Sequence, residues 1–336
     1  MTSVEQLTPY MRAYSEEFAD DGKINWLPYI MYFHPYNYRS PVINTDSRGF
    51  RYSYARGERY SVGDCGRLSR CRVIAGSSTV FGIGASADGH TLASRLTENE
   101  ASGSPWMNFG GRSFNSTQEM ILFSLNRHLL PKVDEVVLMS GFNDLGLARL
   151  PARLRQDHGA FFMGNIYQNA MESAGASRFS RWLSRKDEKA QDDVPTLEAQ
   201  IAYAVSLTRR NLANWAALCA DMKAPLTFVL QPLANWVRSR GSKEEQLLFE
   251  EREKQGGFAQ QYGDILTQAA YKTYRDRLAA ACHELGITFI DLTPAIQSVI
   301  TDDFWLFVDR IHFTDEGHDF VARILLEQLA KREGEP

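Results

Sequence analysis

The chain reads as an α/β protein built on a parallel sheet, and two observations carry that reading. Five short apolar runs, Val73-Ile74-Ala75, Trp106-Met-Asn-Phe109, Glu135-Val-Val-Leu-Met139, Leu226-Thr-Phe-Val-Leu230 and Ile287-Thr-Phe-Ile-Asp291, alternate with segments of helical periodicity. Strand and helix in repeated alternation is the pattern of parallel strands covered on both faces. The first run then stops at Gly76, and Ser77 and Ser78 follow at once. In an open α/β sheet ligands bind just past the carboxyl ends of the strands, so these hydroxyls stand where chemistry is expected.

Bulk properties narrow the function classes. A chain of 336 residues has ample material for a core in one large or two modest domains. Its 44% hydrophobic and 23% charged residues are ordinary for a soluble globular protein. A net charge of -4 gives no electrostatic case for nucleic acid or an anionic membrane surface. No apolar run is long enough to cross a bilayer, so no membrane insertion is expected. The first residues, from Met1 to Gln6, have neither the basic nor the apolar region of a secretory signal. Cys65, Cys71, Cys219 and Cys282 lie too far apart for a zinc pattern. Cys65 and Cys71 are close enough to meet, and the other two sit in helix-like segments as buried thiols. A cytoplasmic location is expected.

Taken in order, residues 1–70 have their own character. The stretch from Pro28 to Tyr38 is dense in aromatics, and Val42 to Arg51 reads as strand, turn and strand. A small β-rich N-terminal subdomain is expected there, its aromatics mostly core. Residues 71–336 form the main domain. Asn115 and Gln118 have capping-box spacing before a helix over 119–130. Further helices are expected over 196–222 and 262–285, the second ended by Gly286, and a last one is capped by Thr314. Asp315 and Glu316 then lie at the positive end of that last helix, and Lys331 and Arg332 at its negative end.

One region breaks the rhythm. Residues 145–195 exceed what a crossover helix needs and carry Phe161, Phe162, Met163, Ile166, Tyr167, Trp182 and Leu183 among mixed charges. An insertion past a strand's carboxyl end sits where a lid would sit. A second irregular stretch begins at Leu233, and its charged runs around Lys243-Glu-Glu-Gln246 and Glu250-Glu-Arg-Glu-Lys254 read as solvated helix faces.

Three more segments fall at loop positions like that of the serines: Asn108 to Gln118, Gly141-Phe-Asn-Asp144, and Asp309-Arg-Ile-His312. With Gly76-Ser77-Ser78 they stand in the order of the four sequence blocks of SGNH/GDSL-type serine hydrolases, which residues 71–330 resemble. The resemblance implies a three-layer, flavodoxin-like α/β/α fold with a five-stranded parallel sheet, to which this chain is expected to add residues 145–195 as a helical lid-like insertion. It implies Ser78 as nucleophile, His312 as general base and Asp309 as the carboxylate that orients the imidazole. It implies an oxyanion hole from the backbone N–H of Ser78, a backbone N–H at Ser113 and the side-chain amide of Asn143.

This chain departs from the family pattern twice. Ser77 stands where the family has Asp, which makes Ser77 a rival nucleophile, and Ser113 stands where the family usually has Gly. A backbone donor survives any residue but proline. Asp144 reads as structural, and His318, on the last helix, as a packing or surface residue. His90 and Asp291 have no motif behind them. Gly82-Ile-Gly84 lacks the third glycine and acidic partner of a dinucleotide site. No cofactor and no metal are expected.

The expected activity is cofactor-independent hydrolysis of a small or medium-sized acylated molecule such as a carbohydrate, lipid or metabolite ester. Two alternatives stand beside it. In one, the same acyl-enzyme passes its acyl group to an alcohol, amine or thiol acceptor. In the other, the scaffold is a catalytically silent binding protein. Oligomeric state is left open.

Overall fold

The computed structural model describes residues 3–18, 25–27, 29–155, 157, 159–162, 194–256 and 262–333. After short helical segments at Ser3–Leu7 and Ala13–Glu17 come two antiparallel hairpins: β1 (Asn25–Leu27) with β2 (Met31–Phe33), and β3 (Ser53–Ala55) with β4 (Glu58–Tyr60). Five parallel strands follow: β5 (Arg70–Gly76), β6 (Trp106–Gly110), β7 (Lys132–Ser140), β8 (Leu226–Leu230) and β9 (Thr288–Asp291). Their spatial order is β6-β5-β7-β8-β9. Strand order therefore reverses between β5 and β7, and Ser78 follows β5 at that switch point.

Side chains alternate faces along a strand, so a sheet covered twice buries both sets. Val73, Ala75, Val136, Leu138, Phe228 and Leu230 pack on one face. The helices Ser116–Asn126, Leu197–Met222 and Gln268–Glu284 cover them through residues such as Phe123, Trp215 and Leu278. Phe123 and Trp215 stack with ring centroids 4.5 Å apart. Ile74, Val137, Met139, Val229 and Ile290 pack on the other face, under the helices Leu92–Asn99, Leu292–Val299 and Asp315–Glu333. The result is a three-layer α/β/α fold. The capping box at Asn115 and Gln118 forms as its spacing predicts.

The N-terminal aromatics divide between core and surface: Tyr14, Phe18 and Tyr52 are buried, whereas Trp26 and Tyr54 are exposed. Tyr32, Phe33 and Phe50 share a buried cluster with Phe109 and Phe114, while Tyr29 and Tyr36 are exposed. The strand–turn–strand expected over 42–51 is replaced by isolated bridges, Arg39 with Asn44 and Thr45 with Arg51. Asp46 explains the difference. Its carboxylate accepts the N–H groups of Arg48, Phe50 and Gly63, at 2.8, 3.0 and 2.7 Å, so a side chain takes donors that a ladder would use.

Two more expectations are corrected. The helix expected from 262 begins at Gln268, because Gly263–Leu266 forms a 3₁₀ turn and Thr267 then caps with its hydroxyl accepting from Ala270 N–H. Glu245, expected on a solvated face of the helix Lys243–Gly256, is fully buried. It pairs with Arg238 at 3.0 Å, and its other oxygen accepts the N–H groups of Leu306 and Phe307, each at 2.9 Å. Of the expected insertion, residues 156, 158 and 163–193 lie outside the described residues, with Met163, Ile166, Tyr167, Trp182 and Leu183 among them. All four cysteines are free and buried. Burial pushes the thiols of Cys71, Cys219 and Cys282 up to about 12, which leaves them as packing groups. Among the described residues no helix is long and apolar enough to cross a membrane.

Candidate active site

At the end of β5 a side chain on Gly76 would run into the Met139 carbonyl oxygen and Val80. Glycine lets the chain turn there against β7 and enter the short helix Ser78–Phe81. Gly110, at the end of β6, is needed for the same reason, since a Cβ would strike the Phe81 backbone. The Gly111 N–H donates to the Gly76 carbonyl at 3.0 Å, which ties the two loops together.

Ser78 Oγ lies 2.8 Å from His312 Nε2, and His312 Nδ1 lies 2.8 Å from Asp309 Oδ2. The other Asp309 oxygen accepts the N–H groups of Ile311 and His312, each at 2.8 Å. A carboxylate only accepts, so Nδ1 carries the ring hydrogen and Nε2 turns its lone pair to the Ser78 hydroxyl. Burial by itself would raise the Asp309 pKa. The charge that His312 carries once protonated, its hydrogen bond, the Arg252 guanidinium 3.9 Å away and the Ile311 N–H outweigh it and hold the carboxyl well below the usual range. Asp309 therefore stays ionised beside its histidine.

Ser77 is buried with its hydroxyl 3.4 Å from Gln231 Oε1, and Gln231 Nε2 donates to Thr79 Oγ1 at 2.8 Å. It hydrogen-bonds to Gln231 rather than to His312. Gln231 is a residue that sequence reasoning missed, although its place directly after β8 is itself a signal.

The second and third loops are cross-linked. Ser113 has φ +57°, the left-handed region where glycine is favoured. Asn143 enters from the helix Phe142–Leu147, after Gly141 at φ +110°, and its Nδ2 donates to the Phe114 carbonyl at 2.6 Å. That bond uses one amide hydrogen and leaves the other. Asp144 is structural by its contacts, accepting from Ser116 N–H at 2.9 Å and from Thr208 Oγ1 at 2.6 Å. Among the described residues the N–H groups of Ser78 and Ser113 donate to no protein group.

The other sequence candidates fall elsewhere. Asp291 accepts from Tyr271 OH at 2.5 Å and caps the helix Leu292–Val299. His90 lies 4.0 Å from Asp315, near the start of the last helix. His318 is fully buried on that helix, edge-on to Phe313. A groove of about 800 Å³ runs along the Arg310 side of the Asp309–His312 turn, between Asn235, Arg238, Phe249 and Glu253. It includes none of Ser78, Asn143 or His312. No group of His, Cys, Asp and Glu among the described residues could hold a metal ion.

Burial pushes the pKa of both His34 and His318 down to about 3. In the unfolded chain an imidazole protonates near pH 6.5, so below that pH the unfolded state binds more protons and each ring lowers stability as pH falls toward 3. Above that range both states are neutral and the effect vanishes. Burial holds the Glu119 carboxyl well above its usual range, which works in the opposite direction, so the measurement is differential. Between about pH 6 and pH 5 wild type should lose roughly 1 kcal/mol more per pH unit than His34→Gln, read from urea midpoints. Parallel pH profiles would show that His34 takes up its proton in the folded state.

A hydrogen-bonded Ser–His–Asp chain beside unpaired backbone donors, at the switch point of a parallel sheet, is an arrangement suited to acyl transfer. The chain belongs to the GDSL-like lipase/acylhydrolase family, whose model matches residues 74–320. Family membership supports ester hydrolysis in general terms. Among solved structures, a lipase/acylhydrolase from Enterococcus faecalis is 15% identical, with 78% of this chain and 96% of that one covered at a TM-score of 0.44. A carbohydrate acetylesterase family member from Sinorhizobium meliloti is 13% identical, over 79% of this chain and 100% of that one, at a TM-score of 0.44. A GDSL-like lipase from Bacteroides thetaiotaomicron is 16% identical, over 79% and 89%, at 0.40. Comparison with curated proteins finds no match.

Proposed function

We propose that the protein hydrolyses an ester of a small or medium-sized acylated molecule through an acyl-enzyme on Ser78. The observation that carries this reading is the unbroken chain Ser78 Oγ, His312 Nε2, His312 Nδ1, Asp309 Oδ2, with 2.8 Å at both hydrogen bonds. As Ser78 Oγ bonds to the acyl carbon, His312 Nε2 takes the hydroxyl proton and Asp309 stabilises the imidazolium that forms. The N–H groups of Ser78 and Ser113 and the free Asn143 amide hydrogen receive the carbonyl oxygen as it becomes negative. Collapse breaks the bond to the leaving alcohol, which takes the proton from His312. Water then adds to the acyl carbon with His312 again as base, the Ser78 Oγ–acyl bond breaks as Ser78 takes the proton back from His312, and the acid departs.

The burial of Ser78 and Asn143, each 7% exposed, also favours acyl transfer to an alcohol, amine or thiol in place of water. Product analysis with and without added acceptors separates the two outcomes.

A fluorophosphonate probe tests the nucleophile. Label is expected on Ser78, absent from Ser78→Ala and retained in Ser77→Ala, with the site read by peptide mass spectrometry. A folded protein that takes no label, or takes it on Ser77, refutes the assignment.

A further inference from the structure

We propose that the N-terminal segment is part of the catalytic apparatus: Tyr32 and His34 are positioning residues that aim the Ser113 N–H at the oxyanion. The inference rests on the acyl-enzyme reading above and concerns residues that precede the 74–320 family match.

The starting point is the backbone of Ser113. A residue with a Cβ at φ +57° costs roughly 1–2 kcal/mol relative to the common regions, so surrounding contacts must hold it there. Those contacts come from the hairpin β1–β2. The Tyr32 hydroxyl, on β2, lies 3.0 Å from the Arg112 carbonyl oxygen and 3.2 Å from that of Ser113. The Arg112 carbonyl and the Ser113 N–H belong to one planar peptide group and point in opposite directions. Fixing the carbonyl on Tyr32 therefore directs the N–H away from the hairpin, with no protein acceptor for it among the described residues.

His34 pins the preceding peptide. Its Nδ1 lies 3.0 Å from the Gly49 carbonyl oxygen, an acceptor only, so Nδ1 carries the hydrogen and Nε2 accepts the Arg112 N–H at 3.2 Å. The Arg112 guanidinium donates to the Phe18 carbonyl and lies over the Phe18 ring. The Tyr32 ring meets Phe114 edge-on, and the Phe114 carbonyl receives the Asn143 amide. The one Tyr32 hydroxyl hydrogen is shared between the Arg112 and Ser113 carbonyls, and His34 holds the peptide before them. The amides of Ser113 and Asn143 are thereby referred to a common frame.

Rate separates positioning from bracing. Tyr32→Phe removes only the hydroxyl. With p-nitrophenyl acetate, kcat should fall about 10-fold or more while KM stays within about twofold, since small misplacements of a transition-state donor act on turnover. Affinity for a trifluoromethyl ketone, whose adduct with Ser78 carries the oxyanion, should fall by the same factor as kcat/KM. His34→Asn keeps a donor for Gly49 and removes the acceptor for Arg112, so it should lose activity. His34→Gln can present an oxygen to that N–H and should retain more.

A folded Tyr32→Phe with unchanged kcat and ketone affinity, or with loss confined to KM, overturns the positioning role. If that variant does not fold, equal activities of His34→Asn and His34→Gln overturn it. Absence of fluorophosphonate label on wild-type Ser78 removes the acyl-enzyme reading and this inference with it. Label on Ser78 beside an unaffected Tyr32→Phe removes the positioning role alone.

Discussion

His312→Ala lowers ester turnover by about 10⁴-fold or more, and Ser78→Ala/His312→Ala is no slower than either single variant. The expectation follows from the chain of contacts. Without the imidazole nothing takes the Ser78 proton, and without Ser78 the imidazole has no nucleophile to serve, so the two losses are one loss. The remaining rate over water would come from binding and from the donors at Ser78, Ser113 and Asn143. Steady-state and single-turnover rates on a chromogenic ester measure it. Losses that multiply in the double variant would mean that Ser78 and His312 act in separate steps, against the 2.8 Å bond between them.

Glu245→Ala has the largest expected effect on stability. It strips the partner from Arg238, whose side chain is only 12% exposed, and leaves the Leu306 and Phe307 N–H groups without their acceptor. Breaking a buried pair from one side costs about 3–5 kcal/mol, because the remaining charge stays desolvated. The thermal midpoint should drop by on the order of 10 °C, against a shift near zero for exposed Glu250→Ala. Activity should fall as well. Arg238 also donates to the carbonyls of Thr301 and Phe304, at 2.7 and 2.6 Å, so the ion pair holds the approach to the Asp309–His312 turn. Equal midpoints for the two variants would place the support of that turn elsewhere.

Much of the site was legible because its parts are local. Ser78, Asn143 and Ser113 each follow a strand that its own apolar run reveals. Asp309 and His312 lie three residues apart, close enough for one turn to join them whatever surrounds it. The misses share a cause. Glu245 sits in a charged helical run, and only its partners 61 and 62 residues away, Leu306 and Phe307, make it a core residue. Tyr32 and Gln231 act on residues 80 and 152 positions distant, which no periodicity encodes. The strands expected over 42–51 were lost to the Asp46 carboxylate, whose third partner is Gly63.

The sequence by itself determined the parallel sheet, its two buried faces and the composition of the candidate site. Alternation of apolar residues and short turn motifs are properties of neighbours in the chain. Only the tertiary structure decided which serine meets His312, which backbone N–H groups are left without a protein acceptor, and what holds Ser113 at positive φ. Each of those depends on hydrogen bonds between segments distant in sequence, and a buried polar group takes the partner that the fold brings within reach.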